Sequence, residues 1–228
     1  MAFLALGMTA NAETVTSTND DNKNSVIDMG SGADDNDRWS MHFSLGVDVP
    51  TDAPKGMDFD PLRSWEIGWT VAQYDYRPKS WNTTFSAGLG FNWRNFTLKG
   101  HRNMFAKIGD QIVTGPTPAG YEDLWSSVHV MSISMPLLVK QYFSRSFAIS
   151  LGAQLNWNCY GTLNNTYEVG DSDYDVDTKK IGQRPFTIDF LGIVHYKKLG
   201  VYCKYSPMSV LKKDRGPEFK SLSFGIYF

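Results

Sequence analysis

Long segments of the chain alternate apolar and polar side chains with a period of two. From Trp39 to Val49, every odd position is apolar and every even position is small or polar. Successive side chains of a β-strand point to opposite faces, so this pattern predicts strands with one apolar and one polar face. Many of these segments run for about eleven residues, whereas strands in globular proteins usually have about five or six.

Eight such segments follow one another, and the connections between them differ in length. The short connections lie near 77–80, 144–146 and 197–198, and the long polar ones are 50–62, 100–124, 161–183 and 209–217. Short turns at one end and long loops at the other are typical of outer-membrane barrels. The apolar pattern changes phase near Ala72-Gln73 and near Arg94-Asn95, and we expect a β-bulge at each place.

Alternation alone leaves open which face points outward. A lipocalin-like soluble barrel would place the apolar face inside, but the opposite face here consists of small polar residues unsuited to an apolar pocket. The apolar faces also begin and end in aromatics, as in the interfacial girdles of membrane barrels. We therefore predict an all-β fold over 39–228, an eight-stranded antiparallel up-and-down transmembrane β-barrel with short periplasmic turns and long extracellular loops. The predicted girdle residues are Trp39, Trp81, Phe147, Tyr196 and Phe228 at one end, and Trp65, Trp93, Trp157, Phe186 and Tyr205 at the other.

The N-terminal region has the features of an exported protein. Residues 1–8 form an apolar run, and Ala10-Asn11-Ala12 matches a signal-peptidase site, so 1–12 is interpreted as a signal peptide. It lacks a basic start, which indicates truncation; a buried N-terminal strand is the alternative. Residues 13–38 are polar and nearly free of apolar side chains, and we expect a disordered leader there.

Four motifs follow one another along the predicted strands: Ser134-Met-Pro-Leu-Leu-Val-Lys140, Ser150-Leu-Gly-Ala-Gln154, Tyr202-Cys-Lys-Tyr-Ser-Pro207 and the terminal Ser223-Phe-Gly-Ile-Tyr-Phe228. Together they resemble the outer-membrane "porin family" proteins of Bacteroidetes. The resemblance covers about 39–228. It implies an integral outer-membrane protein that contacts lipid and lipopolysaccharide, with Phe228 as the signal read by the barrel-assembly machinery. The family name implies little about transport.

The polar faces carry charges that a barrel of this size would enclose. An eight-stranded barrel has an interior just wide enough for its own side chains, so we expect a packed lumen in which opposite charges pair. If Lys197-Lys198 is a two-residue turn, Asp189 and Lys204 come within reach of each other, and we predict that pair. The predicted lumen cluster is His42, Glu66, Lys140, Asp189 and Lys204, and Asp48 shares the inward face.

Motifs that carry chemistry are few. The sequence has no Gly-rich phosphate loop and no metal-type spacing of Cys and His, so we predict neither a cofactor nor a metal. Ser127 and His129 could pair on one strand face, with Glu122 or Asp123 as the acid, although a histidine beside a loop is the simpler interpretation.

The acidic stretch 168–177 lacks the spacing of an EF-hand and favours a solvated loop. Cys159 and Cys203 are expected to be free thiols.

These observations favour a structural or interaction role and no enzymatic activity. The net charge of −2 argues against nucleic-acid binding. The leading hypothesis is a barrel whose loops 100–124 and 161–183 contact an extracellular or outer-membrane protein. A narrow channel for small solutes is the first alternative, and a lipid-modifying enzyme built on Ser127 and His129 is the second.

Overall fold

The computed structural model describes residues 37–54 and 57–228, apart from the side chain of Asp37. This part of the chain is all-β. Its strands are β1 (Asp37–Thr51), β2 (Trp65–Tyr76), β3 (Thr83–Thr97), β4 (Asn103–Ile108), β5 (Gln111–Pro116), β6 (Glu122–Tyr142), β7 (Phe147–Val169), β8 (Ser172–Lys179), β9 (Phe186–Tyr196), β10 (Leu199–Ser206) and β11 (Lys220–Tyr227). Within the described ranges, no helix has the length and apolar character needed to cross a membrane.

Eight of the strands form a closed antiparallel ring in the order β1, β2, β3, β6, β7, β9, β10, β11. Pairing of β1 with β11, in which Ser44 lies opposite Tyr227, closes it. The number and order of these strands confirm the sequence prediction. Two of the three predicted short turns also hold: Tyr196 lies opposite Leu199, and the Phe143 N–H donates to the Phe147 carbonyl at 3.0 Å. The connection predicted at 77–80 is longer, because β3 begins at Thr83 and Tyr76 lies opposite Phe85.

Two segments expected to be loops are largely strands. Strand β6 already begins at Glu122, and β7 continues to Val169 and turns back as β8, so 161–183 is mostly a hairpin. The segment 100–124 contains the β4–β5 hairpin. Strand β1 starts at Asp37, two residues before the predicted boundary. The predictions for 1–12 and for 13–36 fall outside the described residues.

The apolar face of the ring points outward and the polar face points inward. On β10, Val201 is 64% exposed, whereas Lys204, three residues farther on and on the opposite face, is 1% exposed. On β11, Ser221 and Ser223 are completely buried, while Phe224 and Ile226 are 42% and 48% exposed. This is the reverse of a soluble protein, in which apolar side chains fill the interior.

Only one of the two predicted bulges is present. The pairing of β2 with β3 shifts between Thr70 and Ala72, close to the predicted place. The predicted bulge at Arg94-Asn95 is wrong, because β3 pairs with β6 without interruption from Gly90 to Thr97. An unpredicted bulge lies in β7, where Cys159 is the extra residue between the partners of Met131 and Ser132.

The change of phase after Arg94 reflects a different environment for the apolar side chains. Phe96 and Leu98 lie on the inward face, where they join apolar residues of the long connections in one buried cluster, which we call the cap. The cap covers the end of the ring where the long connections lie, the loop end. Its buried members are Met57, Phe96, Leu98, Phe105, Ile112, Val128, Val130, Leu163, Ile181, Val210, Leu211 and Phe219.

Candidate functional site

A layer of charged side chains fills the middle of the ring. We call it the charged layer, and each member is at most 2% exposed. Lys204 Nζ donates a hydrogen bond to Glu66 Oε1 and lies 3.9 Å from Asp189 Oδ2. Arg94 Nη1 lies 4.0 Å from the same Asp189 oxygen. The members are Asp48, Glu66, Arg94, Asp189 and Lys204.

Neutral polar groups add hydrogen bonds to this layer. The Ser223 hydroxyl donates to Asp48, and Asn156 Nδ2 donates to Asp189 Oδ2 at 2.7 Å. Removing ions from water costs several kcal/mol each, so charges in such a place persist only when they are paired and hydrogen-bonded. The free space beside the layer, bordered by Glu66 and Lys204, is only ≈ 20 Å³. That volume holds about one water molecule and offers no path to larger solutes.

The structure brings together only part of the predicted lumen cluster. Glu66, Asp189 and Lys204 meet, although the direct hydrogen bond of Lys204 goes to Glu66 and the predicted Asp189 partner is more distant. His42 and Lys140 do not belong to this layer and lie nearer the short turns. The sequence analysis missed Arg94. A bulge was wrongly expected at Arg94-Asn95, and without it Arg94 points inward, as Asn92 does two residues earlier.

The ring is open at the end that carries the short turns, the turn end. A polar cavity of ≈ 690 Å³, which we call the vestibule, occupies it. Inside, Ser40 Oγ lies 3.0 Å from His42 Nε2, and Gln73 Nε2 donates to Asp75 Oδ1 at 2.8 Å. A small buried cluster separates it from the charged layer, consisting of Leu138, Leu191, Ile193, Tyr202 and Tyr227.

Ser127 and His129 lie within hydrogen-bond distance, with 3.0 Å between Oγ and Nε2. Neither acid proposed from the sequence is brought to them. Glu122 lies farther along β6, opposite Glu168, and Asp123 also lies close enough to Glu168 to raise its pKa. The same Ser–His contact occurs twice in the vestibule: Ser40 with His42, and Ser150 Oγ with His195 Nε2 at 2.8 Å. A serine–histidine contact that occurs at three places in the structure is no specific sign of catalysis.

Beyond the ring, β6, β7 and β8 continue as a three-stranded sheet, which we call the arm (122–129, 162–169 and 172–179). One face is acidic, and Asn164 Nδ2 donates there to Asp175 Oδ1 at 2.6 Å and to Asp177 Oδ1 at 3.1 Å. On the same face, the Asp173 carboxylate raises the pKa of Glu168 above its usual range. Within the described ranges, no group of three or more His, Cys, Asp or Glu side chains is arranged to hold a metal ion.

The opposite face of the arm carries a stack of three tyrosines. The rings of Tyr121 and Tyr167 are 4.3 Å apart and nearly parallel, at 10°. Tyr174 stacks on Tyr167 at 5.5 Å and 17°. Flat rings held in parallel form a rigid surface that loses little conformational entropy when a partner binds.

The ten predicted girdle residues all lie on the outward face of the ring. Nine of them are more than a third exposed, and Trp93 is partly buried. At the turn end, Phe147 lies opposite Tyr196; at the loop end, Trp157 lies opposite Phe186. Phe228 exchanges two backbone hydrogen bonds with Phe43, so it also takes part in closing the ring.

No protein-family model matches this chain. No curated protein matches it either.

Proposed function

We propose that this chain is an integral β-barrel of a bacterial outer membrane, with a structural role and an interaction role carried by its arm and long connections. The observation that carries the proposal is the inverted arrangement of the ring, apolar outside and charged inside. An apolar face exposed all around a ring would be a severe aggregation hazard in water. In a lipid bilayer the same face lies in its preferred environment.

The dimensions of the outward face suit a bilayer. On β9, the aromatic residues that bound the apolar face are Phe186 and Tyr196, roughly ten residue steps apart. At about 3.3 Å per residue and a strand tilt of about 40°, they are separated by about 25 Å along the ring axis. The apolar band of outer-membrane barrels is about 25 Å tall.

The arm is the best candidate for an interaction surface. It extends beyond the girdle formed by Trp157 and Phe186 and therefore beyond the proposed membrane. Its edge strand β8 is paired on one side only. It combines the acidic face with the tyrosine stack, two chemically different surfaces for a partner at the cell exterior. Lipid and lipopolysaccharide would contact the outward face of the ring.

Both alternatives drawn from the sequence have some support. The vestibule favours a narrow channel, but the charged layer and the ≈ 20 Å³ gap beside it argue against passage of solutes. The Ser127–His129 contact favours a lipid-modifying enzyme, but the two similar contacts in the vestibule weaken it. A barrel with an interaction role accounts for more of the molecule than either alternative.

The two native cysteines provide a direct test of insertion. Both are free and exposed, as expected from the sequence. Cys203 lies in the middle of the apolar face, opposite Gly192, whereas Cys159 lies two residues beyond the girdle residue Trp157. In protein reconstituted into lipid vesicles, a charged maleimide should modify Cys159 and leave Cys203 unmodified until detergent is added. The variants Cys159→Ser and Cys203→Ser form a matched pair, and equal labelling of both sites in vesicles would refute insertion.

The interaction role needs a separate test. Replacing 164–177 by a short turn removes the outer part of the arm and leaves all eight ring strands. The altered protein should still be heat-modifiable on gels but should lose partners that the intact protein retains after cross-linking on whole cells. If the cross-linked partners remain the same, the interaction role of the arm is wrong, whereas the membrane assignment would stand.

A further inference from the structure

The vestibule carries a marked excess of positive charge. Its lining includes five cationic side chains, Arg38, Arg77, Lys79, Lys140 and Arg145, and one carboxylate, Asp75. Asp75 already accepts hydrogen bonds, from Gln73 Nε2 at 2.8 Å and from the Ser40 hydroxyl at 3.4 Å. With one carboxylate against five cations, the lining keeps a net positive charge.

Three of the cations have no acidic partner in the part of the chain that the structure describes. Among residues 37–54 and 57–228, no carboxylate oxygen lies within ion-pair distance of Arg77, Lys140 or Arg145. Lys140 Nζ and the Arg77 guanidinium both lie 5.1 Å from the centre of the Tyr142 ring. These contacts hold the two cations on one side of the vestibule with their charges uncompensated. Cations gathered in a concave site raise the local concentration of anions.

A second observation points to hydroxyl groups on the ligand. Gln73 is 95% buried at the vestibule wall, and its Oε1 has no hydrogen-bond donor among the described residues. An unpaired buried acceptor costs free energy that a donor from a ligand would recover. The hydroxyls of Ser40 and Ser150 and the imidazoles of His42 and His195 line the same wall. A carboxylate or phosphate alone would leave the amide oxygen unpaired. A sugar hydroxyl can donate to it after the Gln73 side chain turns toward the cavity, because Oε1 itself is almost inaccessible.

We propose that the vestibule is a binding site for a hydroxylated anion, the class that includes phosphorylated and carboxylated sugars. The anionic groups would lie near Arg77, Lys140 and Arg145, and a hydroxyl would donate to Gln73 Oε1. The cavity volume of ≈ 690 Å³ is within the usual range of small-molecule sites, about 300–1,000 Å³. This inference does not depend on membrane insertion, because the vestibule belongs to the ring in any environment.

The anionic groups could come from a free solute or from the chain itself. Residues 13–36 carry six carboxylates and one lysine, and they precede Arg38 at the vestibule rim directly in the sequence. The segment also carries serine and threonine hydroxyls, so both sources share this chemistry and removal of 13–36 distinguishes them. If the ligand is a free solute, removing 13–36 should leave its affinity unchanged. A rise in affinity on removal would assign the same anion site to the chain's own acidic segment.

Calorimetric titration of the full-length protein in non-ionic detergent tests the proposal, with fructose 1,6-bisphosphate as the probe. We expect saturable binding that is at least tenfold tighter than that of inorganic phosphate, and no binding of fructose. Lys140→Met and Arg145→Ala should each weaken binding at least tenfold. Lys213→Met, an exposed lysine in the connection between β10 and β11, is the matched control and should have no effect.

Gln73→Leu tests the hydroxyl contact separately. It should weaken binding of the sugar bisphosphate and leave binding of phosphate unchanged. Heat-modifiability on gels confirms that each variant has folded. The proposal is wrong if the probe does not saturate a site, if phosphate binds as tightly as the sugar ester, or if Lys140→Met binds as well as Lys213→Met does.

Discussion

The two ends of the ring are closed by opposite means. The loop end is sealed by the cap, a buried apolar cluster in which Phe96, Phe105 and Phe219 are at most 1% exposed. The turn end remains open as a polar vestibule of ≈ 690 Å³. The connections explain the difference, because only the long ones have enough residues to fold back over the ring. Packing, and therefore stability, should depend on the loop end, whereas the turn end is free to bind ligands.

The largest effect is expected in the cap. Phe219 contacts the rings of Phe59 at 4.9 Å and Phe96 at 5.2 Å between centroids. Phe219→Ala should lower the free energy of unfolding by about 3–5 kcal/mol, because it leaves a cavity in a packed cluster. Urea unfolding in detergent, followed by tryptophan fluorescence, measures this. Phe143→Ala, at a turn-end residue that is 64% exposed, is the control, and an equal loss there would contradict the contrast between the ends.

A loss of about 3 kcal/mol is expected in the charged layer between the two ends. Lys204→Met removes the partner of Glu66 and leaves two buried carboxylates with less compensation. The double variant Lys204→Met with Glu66→Gln should regain part of the loss. Lys140→Met removes a charge of the same sign from the open vestibule and should change the unfolding midpoint very little. If the two single variants are equally destabilised, the layer is not the buried network described here.

The charged layer should also block conduction. In planar bilayers, we expect no steps of porin size from the unaltered protein, because the gap beside Glu66 and Lys204 is only ≈ 20 Å³. Phe219→Ala should remain closed, since it alters the cap alone. Arg94→Ala removes the side chain that lies beside Asp189 and should permit small ionic currents. Steady large steps from the unaltered protein would favour the channel alternative.

The smallest effect concerns the acidic face of the arm. The pKa of Glu168 is raised in the folded arm chiefly by the Asp173 carboxylate, so the folded arm holds this proton more tightly than the unfolded chain does. The arm should therefore be more stable below the raised pKa and lose that gain as pH rises through it. Hydrogen exchange of the β7–β8 hairpin, corrected for intrinsic rates, should report this change. Glu168→Gln should abolish the dependence, and an unchanged dependence would assign it to another group.

Much of the ring could be predicted from sequence because one physical rule governs it. Where the outward face is apolar, the alternation of apolar and polar residues shows which side chains point outward. This rule located all eight ring strands and the turn at Lys197-Lys198. The rule fails beyond the girdles. There, Phe96 and Leu98 lie inward to build the cap, and the reversed phase resembled a bulge.

The same limit explains which site residues were found. The regular alternation includes Glu66, Asp189 and Lys204. Their common position inside the ring therefore followed from counting every second residue along each strand. Arg94 lies where the apolar phase changes, and its inward direction depends on uninterrupted pairing with β6. The β8 strand of the arm alternates only briefly, over Asp173-Tyr174-Asp175-Val176-Asp177, and its many carboxylates favoured a solvated loop instead. The vestibule arises from the closure of the ring and has no local signature in the sequence.

The pairing of β1 with β11 has a consequence for how the protein must be made. These strands are separated by nearly the whole described chain, so contact between them is among the most non-local in the fold. Folding rates fall as such contacts dominate, because the entropy of the intervening chain is lost before the contacts form. Until β11 is in place, the growing sheet has two open edges with apolar residues on one face, a template for misassociation with other chains. The molecule should therefore depend on a factor that guards these edges while the ring remains open.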